Sequence, residues 1–248
     1  ANCATNMTVI NTIVAETLKT FKKAVDALID KGEKKEVAIM QIIQKYVVES
    51  KKVLFEGDGY SEAWAKEAEK RGLENVKTTP LALDAYVTEK AKKLFASNDI
   101  YSHSELEARH EIMLEDYIKK VQIEARIMGE LATTFIFPSA VKYQNILINN
   151  VKGLKEAGLK EPAYANQVQL LEAISNHISI LGDSVEKMIE ERKVANELTD
   201  TRAKAIAYCE KVKGQYFDII RYHVDKLELI VDDAHRLLPK YREMLFLR

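Results

Sequence analysis

Between Pro162 and Pro239 the chain contains no proline, and only Gly182 and Gly214 interrupt an otherwise helix-compatible run. Within it, Val168, Leu171, Ile174, Ile178, Leu181, Val185 and Met188 recur at steps of three and four, the seam along which a helix packs lengthwise against another. A similar stripe follows in Ile206, Cys209, Val212, Tyr216, Ile219, His223, Leu227, Ile230, Ala234 and Leu237. The spacing predicts two long helices over 162–198 and 199–238, joined at Leu198-Thr199-Asp200. So short a connection, with Thr199 or Asp200 available as a cap, folds the second helix back as an antiparallel hairpin over 162–238. At 1.5 Å per residue each arm is on the order of 55 Å long, which predicts a projecting hairpin suited to assembly. Ile178, Leu181 and Val185 are its candidate assembly residues.

The rest of the composition fits helices. Nine glycines and four prolines in 248 residues leave few turn-formers, and 47% apolar content suffices for a substantial core. The expected fold class is all-α, an elongated helical bundle with the long hairpin at its C-terminal end. A formal charge of −1 spread over 30% charged residues argues against nucleic acid or an anionic membrane as the main partner. The two cysteines, Cys3 and Cys209, lie far apart, which suggests a reducing, cytoplasmic setting. No apolar run approaches the ~18 residues of a membrane span. The chain begins at Ala1 rather than methionine, as expected of a piece of a longer protein.

Before the hairpin, Ile10, Val14, Leu18, Phe21, Val25 and Leu28 mark a first helix stopped by Gly32. Val37, Met40, Ile43, Val47 and Leu54 mark a second, broken at Gly57-Asp58-Gly59. Ser61 caps a short third helix carrying Trp64, read as a buried anchor, and Arg71-Gly72 ends it. Thr78-Thr79-Pro80 opens a helix expected to continue through Tyr86 and Leu94-Phe95 to Ser97. Ser102-His103-Ser104-Glu105 is spaced as a capping box. The helix it opens has an apolar arc widened by Ile112, Leu114, Ile118, Ile123 and Ile127, predicting burial on most sides until Pro138 kinks or ends it.

Candidate chemistry is sparse. Glu107 and His110 stand three apart, the spacing carboxylate metal bundles use on one helix, with Asp232-Asp233-Ala234-His235 as the nearest second pair and Glu124 as a loose extra. A solvated helix start with a packed or hydrogen-bonded His110 is the simpler reading. His177 and His223 each fall near a seam, where a core or interface histidine is the ordinary explanation. No nucleophile stands in a recognisable turn and no phosphate loop is present. The charge runs around residues 33–36 and 186–193 mix signs as solvated faces do. The tail Pro239-Lys240-Tyr241-Arg242-Glu243-Met244-Leu245-Phe246-Leu247 ends in apolar residues. Tyr241, Leu245 and Phe246 are therefore expected to dock on the body or on a neighbouring subunit.

Several strings carry a resemblance. They are residues 1–16, Gly57-Asp58-Gly59-Tyr60-Ser61 with Trp64, Arg71-Gly72-Leu73, and Thr78-Thr79-Pro80-Leu81-Ala82-Leu83-Asp84-Ala85. Further on stand Glu107-Ala108-Arg109-His110-Glu111-Ile112, Tyr143-Gln144-Asn145, Val151-Lys152-Gly153-Leu154-Lys155 and Leu238-Pro239-Lys240-Tyr241-Arg242-Glu243-Met244-Leu245-Phe246. Together they resemble the C-terminal region of type III glutamine synthetases, in the glutamate–ammonia ligase family. The resemblance implies that residues 1–135 close a catalytic domain and that 136–248 form a type III extension containing the hairpin. The family joins ammonia to glutamate through a γ-glutamyl phosphate, using ATP and Mg or Mn. The residues that hold these groups lie upstream of Ala1 in the resembled proteins, and no matching motif stands here. No catalytic or cofactor-binding residue can therefore be carried over, and the chain is expected to be inactive alone. The implied partners are the upstream catalytic region and neighbouring subunits. Two other readings stand beside it: a helical adaptor working through the hairpin, and a metal-dependent bundle enzyme built on Glu107 and His110.

Overall fold

Helix punctuation in the sequence becomes hydrogen bonding in the structure, a computed structural model that describes residues 3–235 and 238–245. All regular structure among these residues is helical, and Cα packing divides the chain into two units, 1–112 and 113–248.

In the first unit, α1 (Ala4–Ile29) ends where Gly32 takes φ +97°, a conformation costly for any residue with a Cβ. Its N–H donates to the Ile29 carbonyl at 2.8 Å while the Glu33 N–H reaches Leu28 at 3.1 Å. The chain turns back into α2 (Lys35–Ser50). Val25, Ala38 and Ile42 form the buried seam of this pair, with Phe21, Leu28, Ile39 and Tyr46 packed around it. Ser61 caps α3 (Glu62–Lys70) by accepting from the Trp64 N–H at 3.2 Å. Trp64 is half-buried, stacked on Phe55 at 4.4 Å with the Arg71 guanidinium 5.5 Å from its ring.

The next helix is broken where one was expected. α4 (Thr79–Leu83) passes through a tight 3-10 turn at Asp84–Val87 before α5 (Glu89–Ala96) restarts, because Thr88 turns extended and its hydroxyl accepts from the Ala91 N–H at 3.2 Å. Thr78 occupies the cap position of α4, but its side chain accepts no capping bond there. Pro80, two residues on, removes one of the two N–H groups such a cap can satisfy, that of the second helical position. The capping box at the start of α6 (His103–Leu131) forms in full, with Glu105 N–H to Ser102 Oγ at 3.3 Å and Ser102 N–H to Glu105 Oε2 at 2.8 Å. The unit division falls within α6.

Pro138 does not end the helical path. A wide π-turn at Ala132–Ile136 precedes it, and α7 (Phe137–Glu156) continues directly. Pro138 has no N–H for the turn before it, and the widened turn accommodates this while Ser139 Oγ donates to the Phe135 carbonyl at 2.7 Å. α8 (Ala165–Glu197) and the helical path through α9 (Thr201–Ala207), a π-helical stretch Tyr208–Phe217 and α10 (Asp218–Ile230) form the pair read from the sequence. Asn196 meets Tyr208 near the turn and His177 meets His223 farther out, so the two run antiparallel. Asp200 is the cap, accepting from the Ala203 N–H at 2.6 Å.

Two boundaries are corrected. The first arm starts at Ala165 because Pro162 lies in a 3-10 turn, Glu161–Ala163. The second ends at Ile230 rather than 238: Val231 turns extended, and Asp232 Oδ1 accepts from the Ala234 N–H at 2.7 Å, offering the backbone a local alternative to helix. The breadth of α6 is corrected too. Leu106, Leu114, Ile118, Val121 and Ala125 are buried, but Ile112, Ile123 and Ile127 remain at least half exposed. That arc is a second apolar face rather than a wider core.

Candidate functional site

In the first unit the apolar positions of α1 divide by height. Residues near its C-terminal end pack on α2, whereas Met7, Ile10, Ile13, Val14 and Leu18 stand exposed, Leu18 at 63%. Val37, Met40, Ile43, Val47 and Val48 of α2 are exposed as well. These ten large apolar side chains exceed the scattered exposure of an ordinary surface. A polar clasp holds α1 against the end of α5. Lys19 Nζ donates to the Ser97 carbonyl at 2.9 Å, and Asn98 Nδ2 donates to Glu16 Oε2 at 2.8 Å. The Asn98 amide, joined by Lys19 and Ser97, keeps the Glu16 carboxyl below its ordinary range. Beside this clasp an open groove of about 1050 Å³ runs between α1 and α5, floored by Ile13, Tyr46, Leu73, Tyr86 and Leu94. Burial, and secondarily Tyr101, raises the Tyr86 phenol.

Glu107 and His110 are turned to different partners. Lys92 Nζ donates to Glu107 Oε1 at 3.0 Å, holding that carboxyl low and the ammonium high. His110 Nε2 stands 3.4 Å from Asp84 Oδ1 and is buried. Among the described residues no three His, Cys, Asp or Glu side chains converge as a metal site, and Glu124 instead pairs with Lys213 at 3.7 Å. Nor is any described helix long and apolar enough to cross a membrane.

In the second unit, Leu181 and Val185 are buried within the chain and Ile178 is half-buried, so these three form the inside of the hairpin rather than an outward face. Gly182 lets α8 approach the Phe137 ring, and Gly129 faces Val185 and Met188. Leu245 stands exposed at 79%, so it does not dock on its own unit. Tyr241 lies in α11 (Tyr241–Met244), its side chain outside the described part, and Phe246 lies outside the described residues. An apolar groove of about 540 Å³ opens between α6, α10 and the segment 238–244, lined by Ile123, Ile127, Leu131, Phe217, Val224 and Met244.

Two polar constellations escaped the sequence. Tyr208, fully buried, donates to Asn196 Oδ1 at 2.6 Å and accepts from Gln122 Nε2 at 3.1 Å, while Gln122 also donates to Asn196 Oδ1 at 2.9 Å. Burial and a hydrogen bond with Cys209 push the Tyr117 phenol upward. His177 and His223, read singly as seam residues, meet Nδ1 to Nδ1 at 2.8 Å. Their nearly equal chain distances from the turn at 198–200 were the available signal, usable only once the antiparallel register is known.

A family model described as "Glutamine synthetase C-terminal domain" matches residues 38–155, from within α2 to the end of α7. A glutamine synthetase of Bacteroides fragilis is 42% identical over 99% of this chain and 34% of its own length. The chain belongs to the glutamine synthetase family. A type-3 glutamine synthetase of Dictyostelium discoideum is 31% identical over 97% of the chain and 33% of its own length. A Butyrivibrio fibrisolvens glutamine synthetase is 27% identical over 87% of the chain and 30% of its own length. The chain thus spans about a third of the curated relatives it matches, and within the family it corresponds to the C-terminal region. The matched domain stops just before α8, whereas the Bacteroides and Dictyostelium alignments, at 99% and 97% of the chain, extend into the hairpin.

Proposed function

We propose that this chain is the non-catalytic helical portion of a type III glutamine synthetase, which completes the fold of a catalytic region and helps to build the oligomer. The intact enzyme would ligate ammonia to glutamate with ATP and Mg or Mn, all held by residues outside this chain. The observation that carries the reading is the paired exposed face of α1 and α2, ten large apolar side chains on two adjoining helices that no described residue of the first unit covers. A face of this kind, in a chain matching a third of its relatives' length, fits packing against the remainder of such a polypeptide. The hairpin is read as the type III extension, spanning 136–248 together with α7, and the exposed Leu245 with Ile123 and Ile127 as surface open to neighbouring subunits. The cytoplasm is the expected compartment.

Co-expression of this chain with the remaining region of its parent polypeptide tests the reading. The two parts should copurify and form glutamine together, and Ile10→Asp with Leu18→Asp should abolish copurification while leaving the helical circular-dichroism signal intact. Glutamine formation by the 248-residue chain alone, or undiminished copurification of the double variant, would refute it.

A further inference from the structure

We propose that the His177–His223 contact is a proton-sensitive latch across the α8–α10 hairpin, closed by one hydrogen held between the facing nitrogens and opened by a second. The latch rests on hairpin geometry alone and is independent of the assembly reading.

The two Nδ1 atoms lie 2.8 Å apart with ring centroids 5.0 Å apart, one imidazole from each arm. At that distance one nitrogen must carry the hydrogen and the other a lone pair, which fixes complementary tautomers in the neutral pair. A proton taken up on the outer Nε2 of the donor ring leaves the bond intact and charge-assisted. The next proton can go only to the acceptor Nδ1, which sets N–H against N–H and charge against charge. The pair therefore tolerates one added proton and opens on the second.

The surroundings favour the closed state. His223 is buried and His177 half-buried. Tyr222 of α10 stands edge-on to His223 at 5.1 Å and contacts His177 at 6.5 Å, and Lys226 of α10 lies 5.3 Å from the Tyr222 ring. From α7 the polar contact in this part of α8 is neutral, Gln144 Nε2 to Ser175 Oγ at 2.7 Å. Among the described residues no carboxylate pairs with either imidazole. Burial and then Lys226 hold His177 below its ordinary pKa, and burial and then His177 do the same for His223. Both folded values are depressed, so the unfolded chain binds more protons as pH falls. The latch stability is complete above the ordinary histidine value of about 6.5; as pH drops below it through the depressed folded values, the bond survives the first proton and is lost on uptake of the second.

The test uses the full chain, wild type against His223→Gln, whose amide can still accept from a protonated His177. Between pH 7.5 and pH 5, wild-type amide protection in α8 and α10, taken relative to the intrinsic exchange rate at each pH, should fall several-fold more than in the variant, on the scale of local opening. Imidazole nitrogen NMR at pH 7.5 should report complementary tautomers for the two rings. Equal pH dependence of exchange in both proteins, or the same Nε2–H tautomer on both histidines, would overturn the latch. The NMR measurement stands even where the variant fails to fold.

Discussion

Replacing Gly129 and Gly214 by alanine should shift stability in opposite directions, although both glycines lie on helical paths. In a helix interior alanine is favoured over glycine by about 1 kcal/mol, so propensity alone predicts the same gain at each. Space decides otherwise. A Cβ on Gly129 would stand 3.7 Å from Val185 Cγ1 and Met188 Cε, ordinary contact distances, so the gain is kept. A Cβ on Gly214 would stand 3.0 Å from the Cys209 carbonyl oxygen, five residues back in the π-helical stretch. That atom is backbone and cannot swing aside. Relieving the contact means rewinding a turn that carries Tyr208 and Val212, both fully buried. The expected outcome is about 1 kcal/mol gained for Gly129→Ala, and a loss of about 1–3 kcal/mol for Gly214→Ala from displaced core contacts. In thermal unfolding at about 2–4 °C per kcal/mol for a chain of this size, the two melting points should fall on either side of wild type. Shifts of the same sign would refute the claim that the wide turn excludes a Cβ at Gly214.

Three further outcomes follow from the same core. Leu181→Ala, at a fully buried site, should cost about 2–5 kcal/mol, read by chemical denaturation. Ile178→Asp with Leu181→Asp should dissolve the hairpin, and a double variant unchanged in helicity, melting and size would contradict that packing. Tyr208→Phe should cost about 1 kcal/mol, because Gln122 and Asn196 retain their own bond. It should couple to Asn196→Ala in a double-mutant cycle by at least ~0.5 kcal/mol, and strict additivity would count against the three-way network.

Much of the fold was legible because helix termini are local. Ser61, Asp200 and the Ser102–Glu105 box cap within three residues of themselves, and Gly32 ends α1 through its own φ. The cap at Thr88 is not legible in the spacing, because a competing cap inside an apolar stretch does not disturb the three–four pattern. Asp232 is hidden in the spacing for the same reason, so periodicity alone carries the second arm past its end at Ile230. Of the candidate site residues, Leu181 and Val185 are buried and Ile178 half-buried, as seam positions are, but periodicity does not say whether the facing helix belongs to the same chain.

By itself the sequence determined that this chain is helical, where most helices start and stop, that its C-terminal arms pair, and which family it resembles. These follow from short-range hydrogen bonding and from the repeat that places apolar side chains on one face. Only the tertiary structure decided which apolar faces are covered, that α1 and α2 keep an open face, that two helical paths widen into π-turns, and that His177 meets His223. Each of those depends on which residues far apart in the chain come to lie within a few ångströms. A repeat of three and four carries no record of that.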